Sequence, residues 1–138
     1  MSRQNLKTFD PEMLRLALLA RENAHAPYSR FPVGACIRSS EGRYFVGCNV
    51  ENASYPEGAC AETGAISQMV AAGGRNITAV LVVVQGDRLC TPCGGCRQRL
   101  REFAGPETPV FLCSPEGLRK TLTLGELLPH AFGRQRDR

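Results

Sequence analysis

The sequence has 138 residues, 43% of them hydrophobic and 22% charged, with a net charge of +4. That length suits one domain able to bury its own core, and the composition excludes a disordered chain. The mild positive charge gives no ground for a nucleic-acid partner, and no apolar run approaches the ~20 residues of a membrane span. The opening MSRQNLKTFD lacks the apolar core of a signal peptide, so the expected location is the cytoplasm. Thiols stay reduced there, and the seven cysteines read as metal or catalytic groups before disulfides. One domain is expected over 1–138, with 1–9 and 134–138 as flexible ends. Arg97, Arg99 and Arg101, like Arg134, Arg136 and Arg138 of the tail, read as solvated surface.

Asp10-Pro11 marks a helix start, with an N-cap and a proline in the first turn. Phe9 and Leu14 have the spacing of a hydrophobic staple, and this helix should end before Pro27. Val33, Ala35 and Ile37 alternate as in a strand, and Tyr44 to Val50 returns it as a hairpin. The loop Glu51–Gly58 leads to a helix from about Cys60, closed by Gly73-Gly74. Ile77 to Val84, apolar throughout and rich in valine, reads as a central strand buried on both faces. A helix near Cys93 should run to Gly105. Pro109 to Cys113 forms a further strand, Arg119 to Leu124 a possible last one, and Gly125 to Leu128 one helical turn. The order predicts an α/β domain: a layered mixed sheet of about five strands flanked by helices, with a right-handed crossover through the Cys93 helix.

The chemistry concentrates in Cys60-Ala61-Glu62 and Pro92-Cys93-Gly94-Gly95-Cys96. Three thiolates can hold Zn²⁺ and leave its fourth position to water, the pattern of catalytic rather than closed structural sites. Cys93 and Cys96 share one face of a helical turn. Cys60 and Glu62 reach one place only at a loop-to-helix junction. Three thiolates outweigh the charge of Zn²⁺, an excess that helix N-termini can offset. Glu62 beside such a site can shuttle protons.

The segments Asn49-Val50-Glu51-Asn52-Ala53-Ser54-Tyr55, Cys60-Ala61-Glu62 and Pro92-Cys93-Gly94-Gly95-Cys96-Arg97-Gln98 resemble the homotetrameric zinc-dependent cytidine deaminases. So do Ala26 to Phe31 with Val33-Gly34-Ala35, and Leu127-Leu128-Pro129 with Ala131-Phe132. The match runs in order over residues ~10 to 133 and is specific as a joint pattern. The resemblance implies one Zn²⁺ per subunit on Cys60, Cys93 and Cys96, with Glu62 as proton shuttle. It implies that Asn49 and Glu51 hold the ribose hydroxyls, that Phe31 stacks on the base and that backbone near Ala61 meets the base edge. Phe132 would close the site of a neighbouring subunit in a homotetramer with shared active sites. The implied reaction is hydrolytic deamination of cytidine and deoxycytidine in pyrimidine salvage, on a free pyrimidine nucleoside. Two departures stand out. Thr63 occupies a position where the family often has Arg: either Arg97 or the helix dipoles offset the thiolates, or the zinc-bound water is less acidic here. Pro56-Glu57-Gly58 also differs from the family's usual loop.

Other readings of the same residues compete. Cys36, Cys48 and Cys113 read as small core residues, and His25 and His130 as surface or cap residues. Cys90-Thr91-Pro92-Cys93 spells a C-x-x-C redox motif, and Cys90 could instead close a four-cysteine structural site that leaves Glu62 without a role. The altered loop admits a related substrate such as blasticidin S or a modified cytosine. A nucleic-acid editing domain fits poorly, because the chain has no added basic or aromatic platform and Cys60 stands where those deaminases use His.

Overall fold

In a computed structural model, residues 7–133 are described. Residues 1–6 and 134–138, with most of the expected flexible ends and the tail arginines, lie outside the described residues. Helix α1 (Pro11–Arg21) starts as its sequence dictates: the Asp10 carboxylate accepts the Glu12 N–H at 3.1 Å, and Pro11 needs no partner in the first turn. Phe9 packs edge-on against Phe111 with ring centroids 5.6 Å apart, so the packed structure reaches residue 9.

Strands β1 (Val33–Ser39) and β2 (Tyr44–Cys48) form the antiparallel hairpin. Helix α2 (Ala61–Ala71) follows, capped by Cys60, and then β3 (Ile77–Val84). Helix α3 (Gly94–Arg101), capped by Cys93, crosses to β4 (Pro109–Ser114); β5 (Gly117–Thr123) and one helical turn, α4 (Leu124–Leu127), complete the chain. The five strands lie in the order β2-β1-β3-β4-β5. β3 and β4 are parallel and the other pairs antiparallel, which makes the mixed sheet expected from the element order.

The two faces of the sheet bury different layers, because side chains alternate along each strand. Val80, Val82 and Val84 of β3 join Val110 and Leu112 of β4 against Ala65, Ile66 and Met69 of α2 and Leu100 of α3. Ala79, Leu81 and Val83 join Phe111 and Cys113 against Met13 and Ala17 of α1. The result is three layers, with α1 on one side of the sheet and α2, α3 and α4 on the other. β3 is the central strand, and its side chains are buried on both faces except the half-exposed Thr78.

Besides shifts of one residue at the ends of β4 and α4, three boundaries differ from expectation. The helix after Cys93 ends at Arg101 rather than Gly105: the amides of Glu102 and Phe103 tighten onto the Arg99 and Leu100 carbonyls three residues back, and the Phe103 carbonyl accepts the Ile77 N–H at 2.8 Å. The returning strand stops at Cys48 because Val50 instead bridges to His25 and Ala59. β5 begins at Gly117, two residues before the expected Arg119, and its register slips between Leu112 and Cys113 of β4.

A buried polar cluster ties α1 to the hairpin. Arg38, 2% exposed, donates to Asp10 at 3.1 Å and to Thr78 Oγ1 at 3.2 Å, and Tyr44 donates its hydroxyl to the same Asp10 carboxylate at 2.6 Å. Asp10 therefore serves as helix cap and as counter-ion at once.

Candidate active site

Two helix starts meet on the α2/α3 side of the sheet. Cys60 and Cys93 both cap their helices in extended backbone conformation, so their side chains project from the helix ends. Cys96, in the first turn of α3, is buried below them. The three Sγ atoms lie within 4.8 Å of one another, and Cys60 and Cys93 are 3.8 Å apart. A tetrahedral ion with Zn–S bonds of ~2.3 Å requires sulfurs ~3.8 Å apart. The triangle thus fits zinc, and soft thiolates are the donors zinc selects.

Close packing places this junction. A Cβ on Gly47 of β2 would lie 2.2 Å from the Ala61 carbonyl and 2.6 Å from the Ala65 nitrogen. Only glycine lets the strand backbone come so near the first turn of α2, which carries Cys60 and Glu62. On the α3 side, Arg97 fixes the loop. Its guanidinium donates to the carbonyls of Pro92 at 2.6 Å and Leu127 at 2.7 Å and to Thr91 Oγ1 at 2.7 Å. Arg97 is therefore no solvated surface residue; its hydrogen bonds go to the chain around the thiols.

The electrostatics follow from position. The backbone amide of Cys96 draws the Cys93 thiol below its ordinary value, which is the effect of a helix N-terminus. Burial pushes the Cys60 and Cys96 thiols up, and a dication between the sulfurs reverses that preference. Glu62 is 4% exposed, and burial raises its carboxyl, against smaller opposing effects from its own amide, Cys96 and Arg99. A carboxyl held in this way is poised to exchange protons nearer neutral pH.

A cavity of about 180 Å³ opens onto these groups, lined by Asn49, Cys60, Ala61, Glu62, Cys90 and Thr91 among others. Of the residues singled out in the sequence, Cys60, Cys93, Cys96, Glu62, Ala61 and Asn49 come together here. Asn49 also staples the approach to β1: its Oδ1 accepts the Val33 N–H at 2.8 Å and its Nδ2 donates to the Phe31 carbonyl at 3.0 Å. Glu51 lines a second cavity, of about 360 Å³, with Tyr28, Ser29 and Tyr55. Its carboxylate accepts the N–H groups of Tyr28 and Ser29 at 3.0 and 3.1 Å and the Ser29 hydroxyl, contacts that hold it below the usual carboxylate range. Phe31, 40% exposed, lines neither cavity, and Phe132 is 86% exposed with its carbonyl accepting from Gln98 at 2.9 Å.

Sequence reasoning gave Ser29 no role and left Cys90 and Thr91 out of the cavity. Ser29 sits in the quoted stretch around Tyr28, but nothing in its spacing pointed to Glu51, twenty-two positions away. Cys36 and Cys113 are buried as expected, with thiols pushed up to about 12 by burial; Cys48 is only half-buried.

Comparison with known proteins agrees with this geometry. The profile of the cytidine and deoxycytidylate deaminase zinc-binding region matches residues 7–113. A cytidine deaminase of Sporosarcina psychrophila is 40% identical over 116 residues, covering 84% of this chain and 85% of that protein. One of Mycobacterium tuberculosis is 42% identical over 125 residues, 90% of each chain. The crystal structure of cytidine deaminase from Burkholderia pseudomallei superposes with a TM-score of 0.83 at 41% identity, covering 91% of this chain and all of that one. With its thiol triangle at two helix starts and a buried glutamate beside it, the chain belongs to the cytidine and deoxycytidylate deaminase zinc-binding family.

Proposed function

We propose that this protein hydrolyses cytidine and deoxycytidine to uridine and deoxyuridine with release of ammonia, as a step of pyrimidine salvage. The observation that carries the reading is the buried Glu62 beside the Cys60–Cys93–Cys96 triangle. These three sulfurs would hold Zn²⁺, which when bound supplies the Lewis acidity that makes water a nucleophile at neutral pH. Glu62 accepts a proton as water adds to C4 of the base, and returns it to N3 of the ring. As the C4–N bond breaks, Glu62 relays a second proton to the departing amine. One water is consumed and one ammonia leaves, so the carboxyl ends in its starting state.

The remaining residues bind and orient. The base would sit in the cavity that Ala61, Thr91 and Asn49 help to line. Glu51 and Asn49 are the ribose-facing groups, and Phe31 and Phe132 the aromatic ones. At about 180 Å³ the cavity is smaller than the ~300–1,000 Å³ of ordinary small-molecule sites. Together with the exposed Phe31 and Phe132, this supports a homotetramer in which neighbouring chains complete each site. The whole chain acts as one domain, and a cytoplasmic location suits its reduced thiols.

The test is a spectrophotometric assay of the zinc-loaded protein on cytidine beside Glu62→Gln. Wild type should convert cytidine, and the variant should lose at least ~100-fold while keeping its fold and zinc. A folded, zinc-loaded wild type that leaves cytidine unchanged sinks the assignment and turns attention to blasticidin S and modified cytosines.

A further inference from the structure

The turn before β1 holds a residue in a costly conformation. Arg30 has a φ of 58°, in the left-handed region that residues with a Cβ seldom enter and that persists only where neighbours enforce it. On the other side, Pro32 restricts Phe31 to extended backbone. Between these two, both backbone polar groups of Phe31 are taken by side chains. Its N–H donates to Ser29 Oγ at 3.1 Å, and its carbonyl accepts from Asn49 Nδ2 at 3.0 Å. Ser29 in turn donates its hydroxyl to the Glu51 carboxylate, which also accepts the Tyr28 and Ser29 N–H groups. An ionised carboxylate has no proton to give. The Ser29 hydroxyl proton is therefore committed to Glu51, and the lone pairs of Oγ are left for the Phe31 amide.

We propose that Ser29 is a positioning residue of the nucleoside site and acts through Phe31: its hydroxyl links Glu51 to the Phe31 amide and so fixes where the ring meets the base. The inference rests on the cytidine reading above, in which Phe31 is an aromatic contact of the substrate. The charge on Glu51 gives the relay its direction, because a hydrogen bond to a carboxylate is the stronger kind and orients the hydroxyl that makes it. Without that hydroxyl, Arg30 can relax toward negative φ and carry Phe31 with it. The ring meets the base and not the bond that breaks, so the loss falls on KM rather than on kcat.

The experiment compares the zinc-loaded full chain with Ser29→Ala, Ser29→Thr, Phe31→Ala and the Ser29→Ala/Phe31→Ala double variant on cytidine. Circular dichroism confirms that each variant folds, and Ser29→Cys serves if Ser29→Ala does not. Ser29→Ala should raise KM about fivefold, the equivalent of one hydrogen bond, with kcat within about twofold of wild type. Ser29→Thr keeps the hydroxyl and should restore KM. In the Phe31→Ala background the serine substitution should change KM by less than about twofold, since its route to the base is gone. An unchanged KM in Ser29→Ala overturns the proposal. So does the same KM factor in both backgrounds, which would mean that Ser29 acts through Glu51 and the ribose instead. Hydrogen exchange at the Phe31 amide separates this inference from the assigned reaction. The rate should rise at least ~fivefold in Ser29→Ala whatever the substrate. An unchanged rate overturns the inference even where cytidine is turned over, and a faster rate in a protein that leaves cytidine untouched refutes the reaction alone.

Discussion

Replacing Gly47 by alanine tests whether the β2–α2 contact sets the chemistry. The added Cβ would lie 2.2 Å from the Ala61 carbonyl oxygen, where ordinary contact begins at 3.4 Å. Both groups belong to backbone, so no side chain can swing aside. Strand and helix must part by about 1 Å, a strain of roughly 1–3 kcal/mol for overpacking. The helix turn that moves carries Cys60 and Glu62, and a displacement of ~1 Å can cost ~100-fold in rate. We expect Gly47→Ala to lower the melting temperature by several degrees, weaken zinc retention and reduce kcat/KM on cytidine by about two orders of magnitude. Gly64→Ala is the control on the same contact. Its Cβ would sit 3.4 Å from Gly47 Cα, which is tolerable, and alanine gains up to ~1 kcal/mol of helix propensity. Melting curves, zinc content and initial rates on both variants decide the matter. A Gly47→Ala protein with wild-type rate and melting temperature would refute the idea that this approach positions the site.

Arg97→Met should leave the fold standing but loosen the Cys93 turn, lowering zinc affinity about 10–100-fold in a competitive chelator titration, as loss of an outer-shell support does. Asp10→Ala removes the cap of α1 and the carboxylate facing Arg38, and should destabilise by about 3 kcal/mol or more in urea unfolding, with little effect on kcat. Stability should also fall in alkali. Cys36 and Cys113 have thiols near 12 in the folded protein against 9.0 for the ordinary group, so the folded state holds protons that the unfolded chain releases. Their contribution is intact below pH 9 and lost progressively as pH climbs from 9 toward 12, which melting curves across that range will record. At pH 8 these two thiols should resist a thiol reagent until the protein is unfolded.

Most elements were legible because local signals and burial agree in this chain. Ile77–Val84 is apolar on both faces because both faces are covered, and Asp10-Pro11 starts a helix through its own side-chain chemistry. The thiol triangle was readable because helix caps and the spacing of Cys93 and Cys96 are local properties. What sequence did not disclose depends on distant backbone. Past the early end of α3, the Phe103 carbonyl is taken by the amide of Ile77, twenty-six residues back in the chain. Arg97 looked like one of three surface arginines on a polar helix, and only the tertiary fold brings the Leu127 carbonyl within its reach. The alternative of a helix-dipole offset for Thr63 finds support in the Cys96 amide at Cys93, while Arg97 spends its donors on oxygen acceptors.

The alternation of β3 between two layers has a consequence for how such a protein can change. Val80, Val82 and Val84 touch the layer that holds the reacting groups, while Ala79, Leu81 and Val83 touch only the α1 layer. Adjacent residues of one strand therefore answer to different demands. The α1 layer can absorb substitutions that adjust thermal tolerance to a new habitat without redrawing the reaction cavity. The α2/α3 layer can be retuned toward another nucleobase while its counterpart keeps the chain folded. The central strand separates two sets of packing constraints within one domain.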